Sequence, residues 1–298
     1  MRGIPGRIVA AHGRRVVVED AAGTKHTCIL RGRQLRAVCG DRVAWEPQAP
    51  GSDGLVLAVE PRSNALQRPD SRGRVEVLAA NITQLIAVTA PKPTPDPFLV
   101  DRHLAAAREM DCRAFVLYNK VDLDPGPARS GWMSELESIG YTVLRTSVRT
   151  NTGLDPLRTM LEGHTSILVG HSGVGKSSLL NALVPGLDTA TAALSAATGE
   201  GRHTTSAALL HRLPGGGAII DSPGVRDHAP PPIAPREVFR GFVELVELAS
   251  HCRFTDCLHR DEPGCAVKAA ARAGRISARR YESYLRLLRL MESLQPEW

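Results

Sequence analysis

The sequence predicts three units in a row: a small β-barrel, an α/β domain on a mostly parallel sheet, and a short helical module organised around cysteines. Short strand-like runs crowd residues 1–66, and apolar runs alternate with helical stretches from about 75 to 228. Three of the six cysteines then fall between 252 and 265. The boundaries read as 1–66 for the barrel, 67–74 for a linker, 75–228 for the α/β domain and 229–298 for the module.

In the first unit, candidate strands lie at GRIVAAHG, RRVVVED, KHTCILRG, DRVAWEP and GLVLAVEPR. Turn formers at Ala22-Gly23, Gly40-Asp41 and Ser52-Asp53-Gly54 separate several of them. Five short strands suit a closed barrel, and the oligonucleotide-binding barrel is the commonest five-stranded solution, with an SH3-like barrel as the alternative. QRPDSRGR, 67–74, reads as a basic linker.

In the second unit, LIAVTA, AFVLYNK, YTVLRTS, TSILVG and GGAIIDSPG are apolar runs that end in polar loops. VDRHLAAAREM and GWMSELESIG between them carry helical patterns. Alternating β and α segments argue for a parallel sheet covered on both faces, with ligands beyond the carboxyl ends of its strands. HAPPPIAP, 228–235, reads as an extended Pro-rich connector, followed by an amphipathic helix over 236–250 and a basic one, ISARRYESYLRLLRLMESL.

Composition is that of an ordinary globular chain, 43% hydrophobic and 23% charged. No run is long enough for a transmembrane helix, and the opening MRGIPGRIVAAHGRR lacks a signal-peptide core. A cytoplasmic, monomeric protein with no membrane partner is expected. Charge gathers at the ends: residues 1–66 hold ten Lys/Arg against six Asp/Glu, and 268–289 hold seven against one. Basic ends around a non-basic centre fit a chemical domain flanked by nucleic-acid-binding modules, with Arg279, Arg280, Arg286 and Arg289 expected to meet phosphate.

The chemistry begins at LVGHSGVGKSSLLNAL. Gly170-x4-Gly175-Lys176-Ser177 follows a strand and opens a helix, the context that gives a P-loop its meaning. Gly170, His171, Ser172, Gly173, Val174, Gly175, Lys176, Ser177 and Ser178 are the candidate phosphate cradle. Backbone N–H groups turn toward phosphate oxygens there, helped by the helix's positive end. Lys176 would reach the β- and γ-phosphates, and Ser177 would offer its hydroxyl to Mg²⁺.

Asp221-Ser222-Pro223-Gly224 ends a neighbouring strand, where the Asp would hold Mg²⁺ and the Gly224 N–H would approach the γ-phosphate. Asn119-Lys120-Val121-Asp122 ends AFVLYNK. A carboxylate at Asp122 can accept N–H bonds from guanine N1 and N2, which adenine does not offer. An acceptor so stranded costs about 2–3 kcal/mol. Ser147 and the Val148 N–H, in RTSVRTNTGL, could meet the guanine ring and its O6. SAATGEGRHTTSAAL is a polar loop in which Thr204 or Thr205 could join Mg²⁺ when the γ-phosphate is present, Thr204 being favoured.

Together these pieces resemble GTPases whose motifs run 4-5-1-2-3 along the chain, a circular permutation. The whole chain resembles the bacterial ribosome small-subunit-dependent GTPase family, through AANITQLIAVTA, NKVD, GHSGVGKSSLLNAL, GRHTT, DSPG and the Cys/His cluster. The resemblance implies an oligonucleotide-binding barrel, a permuted GTPase domain and a C-terminal zinc module. It also implies GTP hydrolysis stimulated by the small ribosomal subunit and its rRNA, late in maturation of that subunit, with GDP as product.

Cys252-x4-Cys257-x-His259-x5-Cys265 supplies three thiolates and an imidazole, a closed set suited to structural Zn²⁺, and the family's ligands map onto these four. His251 is expected outside the set, and Cys28, Cys39 and Cys112 are expected to be packing thiols. Many GTPases place Gln after Asp-x-x-Gly to orient the attacking water, but Val225 stands there, so slow unaided hydrolysis is expected. The resemblance points instead to His203 as the water-positioning residue. The competing readings are a nucleotide-gated RNA-binding module with little turnover, and a P-loop ATPase or kinase, which Asp122 disfavours.

Overall fold

The computed structural model describes residues 3–49, 51–69, 75–124, 126, 131–187, 208–222 and 233–294. The first five strands are β1 (Ile4–His12), β2 (Arg15–Glu19), β3 (Lys25–Leu30), β4 (Arg42–Glu46) and β5 (Gly54–Val59). They run in the order β1-β2-β3-β5-β4, and β4 returns to pair with β1. Strands β3 and β5 are parallel, and the other pairs are antiparallel. Closure removes the sheet edges around a core of Ile8, Val16, Val18, Val43, Trp45 and Val56. The closed five-stranded barrel is the architecture expected from the strand count.

Residues 67–69, read from the sequence as the start of a linker, belong to a strand. β6 (Ala65–Pro69) pairs antiparallel with β7 (Val75–Ala80). Leu66, Ala79 and Ala80 are buried, all near the hairpin's base, so the alternation that signals a strand is missing toward its tip.

The α/β domain comprises β8 (Gln84–Thr89), α1 (Pro97–Glu109), β9 (Arg113–Tyr118), α2 (Gly131–Ser138), β10 (Val143–Arg145), α3 (Leu154–Leu161), β11 (Thr165–Val169), α4 (Lys176–Leu183), β12 (Leu209–Arg212) and β13 (Ala218–Asp221). The order β10-β9-β8-β11-β13-β12 is parallel except for β12. Every residue of β8 and β11 is buried, which is why both read as continuous apolar runs. Leu85, Val116 and Ile167 pack with Leu104 of α1 on one face, while Ile86, Leu117 and Leu168 pack with Leu157 of α3 and Leu180 of α4 on the other. Asp96 caps α1, accepting from the N–H groups of Phe98 at 3.0 Å and Leu99 at 3.4 Å, with Pro97 in the first turn.

Strand β12 was not expected, because its four residues are too few to show a period. Ala10 of β1 pairs with its Leu209, so barrel and α/β domain share one eleven-stranded sheet. Side chains reinforce the junction: Arg7 Nη2 donates to Thr165 Oγ1 at 2.8 Å, and Arg212 meets the buried Glu19 at 2.6 Å.

The C-terminal module holds a 3₁₀ segment (Pro235–Gly241), α5 (Val243–Ala249), α6 (Ala266–Arg272) and α7 (Ala278–Ser293). The single helix expected over 236–250 is broken at Phe242, which is extended and fully buried. Burying that ring against Tyr284 and Leu245, with Arg280 over its face at 4.7 Å, outweighs helix continuity. Ala105 of α1 joins the same core, so the module packs directly onto the α/β domain.

The basic helix is a second correction. Arg280 is 2% exposed and bound to Asp101 and Glu244, and Arg279 is bound to Asp101 and Glu135. Arg286 and Arg289 are exposed, and both pair with Glu282, at 3.0 and 3.1 Å. Positions 280, 284, 287, 288 and 291 form the helix's buried stripe, which places Arg280 inside it.

Candidate functional site

Strand β11 delivers the chain to a loop in which Gly170, Gly173 and Gly175 have φ of +138°, +83° and +97°. A Cβ on Gly170 would strike the Val88 carbonyl, and one on Gly175 would strike the Asn119 side-chain amide. The loop thus lies against the ends of β8 and β9 with no room for side chains at those two points. Val174 is buried beneath it, while His171, Ser172, Ser177 and Ser178 are exposed. Lys176 opens α4, and its Nζ donates to the Gly170 and His171 carbonyls at 2.5 and 2.8 Å.

Asn-Lys-x-Asp meets this loop directly. Asn119 Nδ2 donates to the Val174 carbonyl at 2.9 Å, and Lys120 Nζ donates to the Gly173 carbonyl at 2.5 Å. Thr146 Oγ1 fixes the Asn119 amide by donating to its Oδ1 at 3.2 Å. Val121–Leu123 form a 3₁₀ turn entered through Lys120 at φ +59°, and the Val121 N–H is bound by the Thr146 carbonyl at 3.1 Å. Two motifs about fifty residues apart in sequence therefore share one hydrogen-bonded frame.

Beside that frame lies a cleft of about 330 Å³ lined by Asn119, Lys120, Asp122, Leu123, Ser147, Val148, Arg149, Gly175 and Ser178. Ser147, fully buried and bridged to Thr152, donates through Oγ to Asp122 Oδ1 at 2.6 Å. Arg149 Nη1 stands 3.7 Å from Asp122 Oδ2. The carboxylate is held at the cleft wall with acceptor capacity beyond the Ser147 bond, suited to a planar ligand presenting two N–H donors. Thr146, Leu123 and Arg149 escaped the sequence reading. Thr146 adjoins Ser147, Leu123 adjoins Asp122 and Arg149 adjoins Val148, so contiguity with those residues was the available signal.

The register Ile167↔Ile220 sets Asp221, exposed at the end of β13, at the same end of the sheet as the 170–178 loop. His203, Thr204, Thr205, Gly224 and Val225 lie outside the described residues.

Thirty residues further along, Cys252, Cys257, His259 and Cys265 gather with all four ligand atoms within 4.8 Å of one another. Cys252 Sγ is 3.4 Å from His259 Nδ1 and 3.9 Å from Cys265 Sγ, and Cys265 Sγ is 3.6 Å from His259 Nδ1. Tetrahedral bonds of about 2.3 Å to sulfur and 2.0 Å to nitrogen put ligand atoms roughly 3.5–3.8 Å apart. The four can hold a metal ion in that geometry. Burial, more than the neighbouring thiols, pushes the Cys257 thiol up to about 12, a penalty on thiolate that a cation would reverse. Glu262 shapes the loop: burial opposes its charge, yet the N–H groups of Leu258, Arg260 and Asp261 hold it down at about 2. His251 is exposed, turned to the Glu247 carbonyl, and outside the cluster. Cys28 and Cys39 are buried and Cys112 is half-buried, all with thiols raised chiefly by desolvation.

Residues 59–229 match the model of the RsgA GTPase family. A protein of Ectopseudomonas mendocina named "Small ribosomal subunit biogenesis GTPase RsgA" is 42% identical over 290 residues, covering 95% of this chain and 84% of its own length. The crystal structure of YjeQ from Thermotoga maritima is similar with a TM-score of 0.79 and 34% identity, over 97% of this chain and 98% of that one. YloQ, described as a circularly permuted GTPase, superposes with a TM-score of 0.76 at 24% identity, over 99% of this chain and 97% of its own, a likeness of fold. Matched over more than half its length by that model, and carrying its phosphate loop and Asn-Lys-x-Asp turn in one frame, the chain belongs to the RsgA family of GTP-hydrolysing enzymes.

Proposed function

We propose that the chain binds GTP between Asp122 and the Gly170–Ser178 loop and hydrolyses it when docked on the small ribosomal subunit, late in that subunit's maturation. The observation that carries this reading is the Asn119–Val174 hydrogen bond, which joins the base cleft to the phosphate loop. Asp122 and Ser147 select guanine, with the Val148 N–H toward its O6. Lys176 neutralises the β- and γ-phosphates and the charge that develops between them. Mg²⁺, which GTPases of this kind use, would be held by Ser177, Asp221 and either Thr204 or Thr205, Thr204 being favoured, and the Gly224 N–H would meet the γ-phosphate. His203 orients the attacking water in place of the Gln that Val225 replaces.

Cys252, Cys257, His259 and Cys265 would hold one structural Zn²⁺ per chain, and with three thiolates and an imidazole as its ligands the ion would serve the fold and not the reaction. The barrel, the permuted domain and the zinc module act as three units of one cytoplasmic monomer, the barrel and module gripping rRNA on either side. Among the described residues no helix is long and apolar enough to cross a membrane.

The state-dependence of subunit binding tests this proposal. Affinity for purified small subunits should be at least about tenfold higher with a non-hydrolysable GTP analogue than with GDP, a coupling within the usual 1–3 kcal/mol. Equal affinities would remove the switch from the account.

A further inference from the structure

A second cleft, of about 550 Å³, lies between the C-terminal end of α1 and the Cys/His cluster. Its apolar wall includes Phe239, Val246 and Phe254, and Arg108 and Arg240 also line it. Among the described residues no carboxylate lines it. Val246 and Phe254 are 39% and 40% exposed, so two of the chain's large exposed apolar side chains converge on one concavity. The Arg253 guanidinium lies 5.4 Å from the Phe254 ring centroid, and that of Arg240 lies 6.0 Å from Phe239. Arg108 Nε donates to the Arg240 carbonyl at 3.4 Å, tying α1 to the module across the cleft. Glu237 holds Arg240 at 2.8 Å from outside the lining.

One exposed aromatic ring, Phe254, beside the half-buried Phe239, with guanidinium planes and no carboxylate in the lining, describes a site for a flat, anionic, aromatic ligand. We propose that this cleft takes one unstacked nucleobase of a single-stranded RNA segment, stacked on Phe254, with flanking phosphates on Arg108 and Arg240. Beyond the cleft the exposed Arg253 carries the positive charge on, while the exposed Arg236 shares Glu237 with Arg240, at 3.7 Å; the line from Arg108 to Arg253 is a track that a strand can follow and a free mononucleotide cannot. The inference rests on the proposed rRNA partner but adds a site to it. It also gives the module a recognition role that its inward-turned Arg279 and Arg280 do not supply.

The test is photo-crosslinking of the full-length, zinc-replete chain to a short unstructured oligoribonucleotide carrying 4-thiouridine, with adducts mapped by mass spectrometry. Adducts within 236–259 are expected, whereas adducts confined to the barrel would overturn the proposal. In parallel, Phe254→Leu keeps the apolar wall and removes the π-face, and should weaken oligonucleotide affinity roughly five- to hundredfold, the span of one base–aromatic stack. Phe254→Trp should restore it. Unchanged affinity in Phe254→Leu, or a mononucleotide that competes as well as the oligomer, would also overturn it. Small-subunit stimulation of GTP turnover in the unmodified chain separates the two readings. If stimulation persists while the crosslinks miss the cleft, the cleft assignment alone fails; if stimulation is absent, the ribosomal reading itself fails.

Discussion

Arg280 Nη1 donates to Asp101 Oδ1 at 2.7 Å, and the two side chains are 2% and 0% exposed. The pair joins α7 of the C-terminal module to α1 of the GTPase domain. Arg279 donates to the other Asp101 oxygen at 2.7 Å, and Glu244 takes Arg280 Nε and Nη2 at 2.6 and 2.9 Å. Every charge in the group has a partner, which is what makes its burial tolerable. Helix α1 begins just after the segment whose Lys92 carbonyl accepts from Lys120, so it connects the Asn-Lys-x-Asp turn to the module. The Pro-rich stretch 228–235, read from the sequence as an extended connector, lies mostly outside the described residues.

Asp101→Asn should therefore cost stability, because it removes the buried carboxylate that two arginines share and leaves each with one partner, Glu135 for Arg279 and Glu244 for Arg280. With neither charge left wholly uncompensated, the loss is that of a buried charged hydrogen-bond partner, about 1.5–3 kcal/mol. Urea unfolding of the variant should show it as a lower midpoint, and a change below about 1 kcal/mol would mean the network is solvated in solution.

Asp122→Asn replaces an acceptor by an amide that also presents donors. GTP affinity should fall by tenfold or more, from about 2 kcal/mol of mispairing, while xanthosine triphosphate gains. Titrations with GTP, ATP and XTP decide it, and an unaltered preference for GTP would remove Asp122 from the base site.

Zinc analysis of protein purified without chelator should give one equivalent, and Cys257→Ser should lower it. Because binding energy at a structural site is folding energy, the variant's module should lose protection against hydrogen exchange over 236–290. Full protection with no metal would show that the cluster needs no ion.

His211, 4% exposed on β12, has its pKa pushed down to about 4 from an ordinary 6.5 by burial and, less, by the Lys25 charge. The unfolded chain takes up this proton first, so stability falls as pH drops from about 6.5 toward 4 and levels below that. The integral is about 3 kcal/mol. His211→Leu should flatten that limb of the stability–pH curve, and an unchanged limb would assign the acid sensitivity elsewhere.

The five barrel strands, β8, β9, β11 and β13 were legible because each is a short run whose burial leaves a plain apolar signature between turn formers. The Gly170–Ser178 loop, the Asn119–Asp122 turn and the Cys/His set stood out because residue type and spacing recur together in them, and the structure brings the first two into one frame and gathers the four ligand atoms of the last. Strand β12 and the β6–β7 hairpin were not, since their place comes from partners distant in sequence, Ala10 for β12 and the antiparallel mate for the hairpin. Arg280 misled for a related reason: a positive charge reads as surface until Asp101 and Glu244 are seen around it. Its position in the buried stripe of α7 was the one clue in the sequence.

Whether its partner switches this GTPase on is decided by steady-state GTP turnover of the 298-residue chain with and without purified small ribosomal subunits. Hydrolysis should be slow alone, as Val225 in the Gln position implies, and should rise at least about tenfold, or roughly 1.4 kcal/mol off the barrier, with small subunits. Large subunits should have no such effect. Turnover that is equal with and without small subunits would contradict that activation.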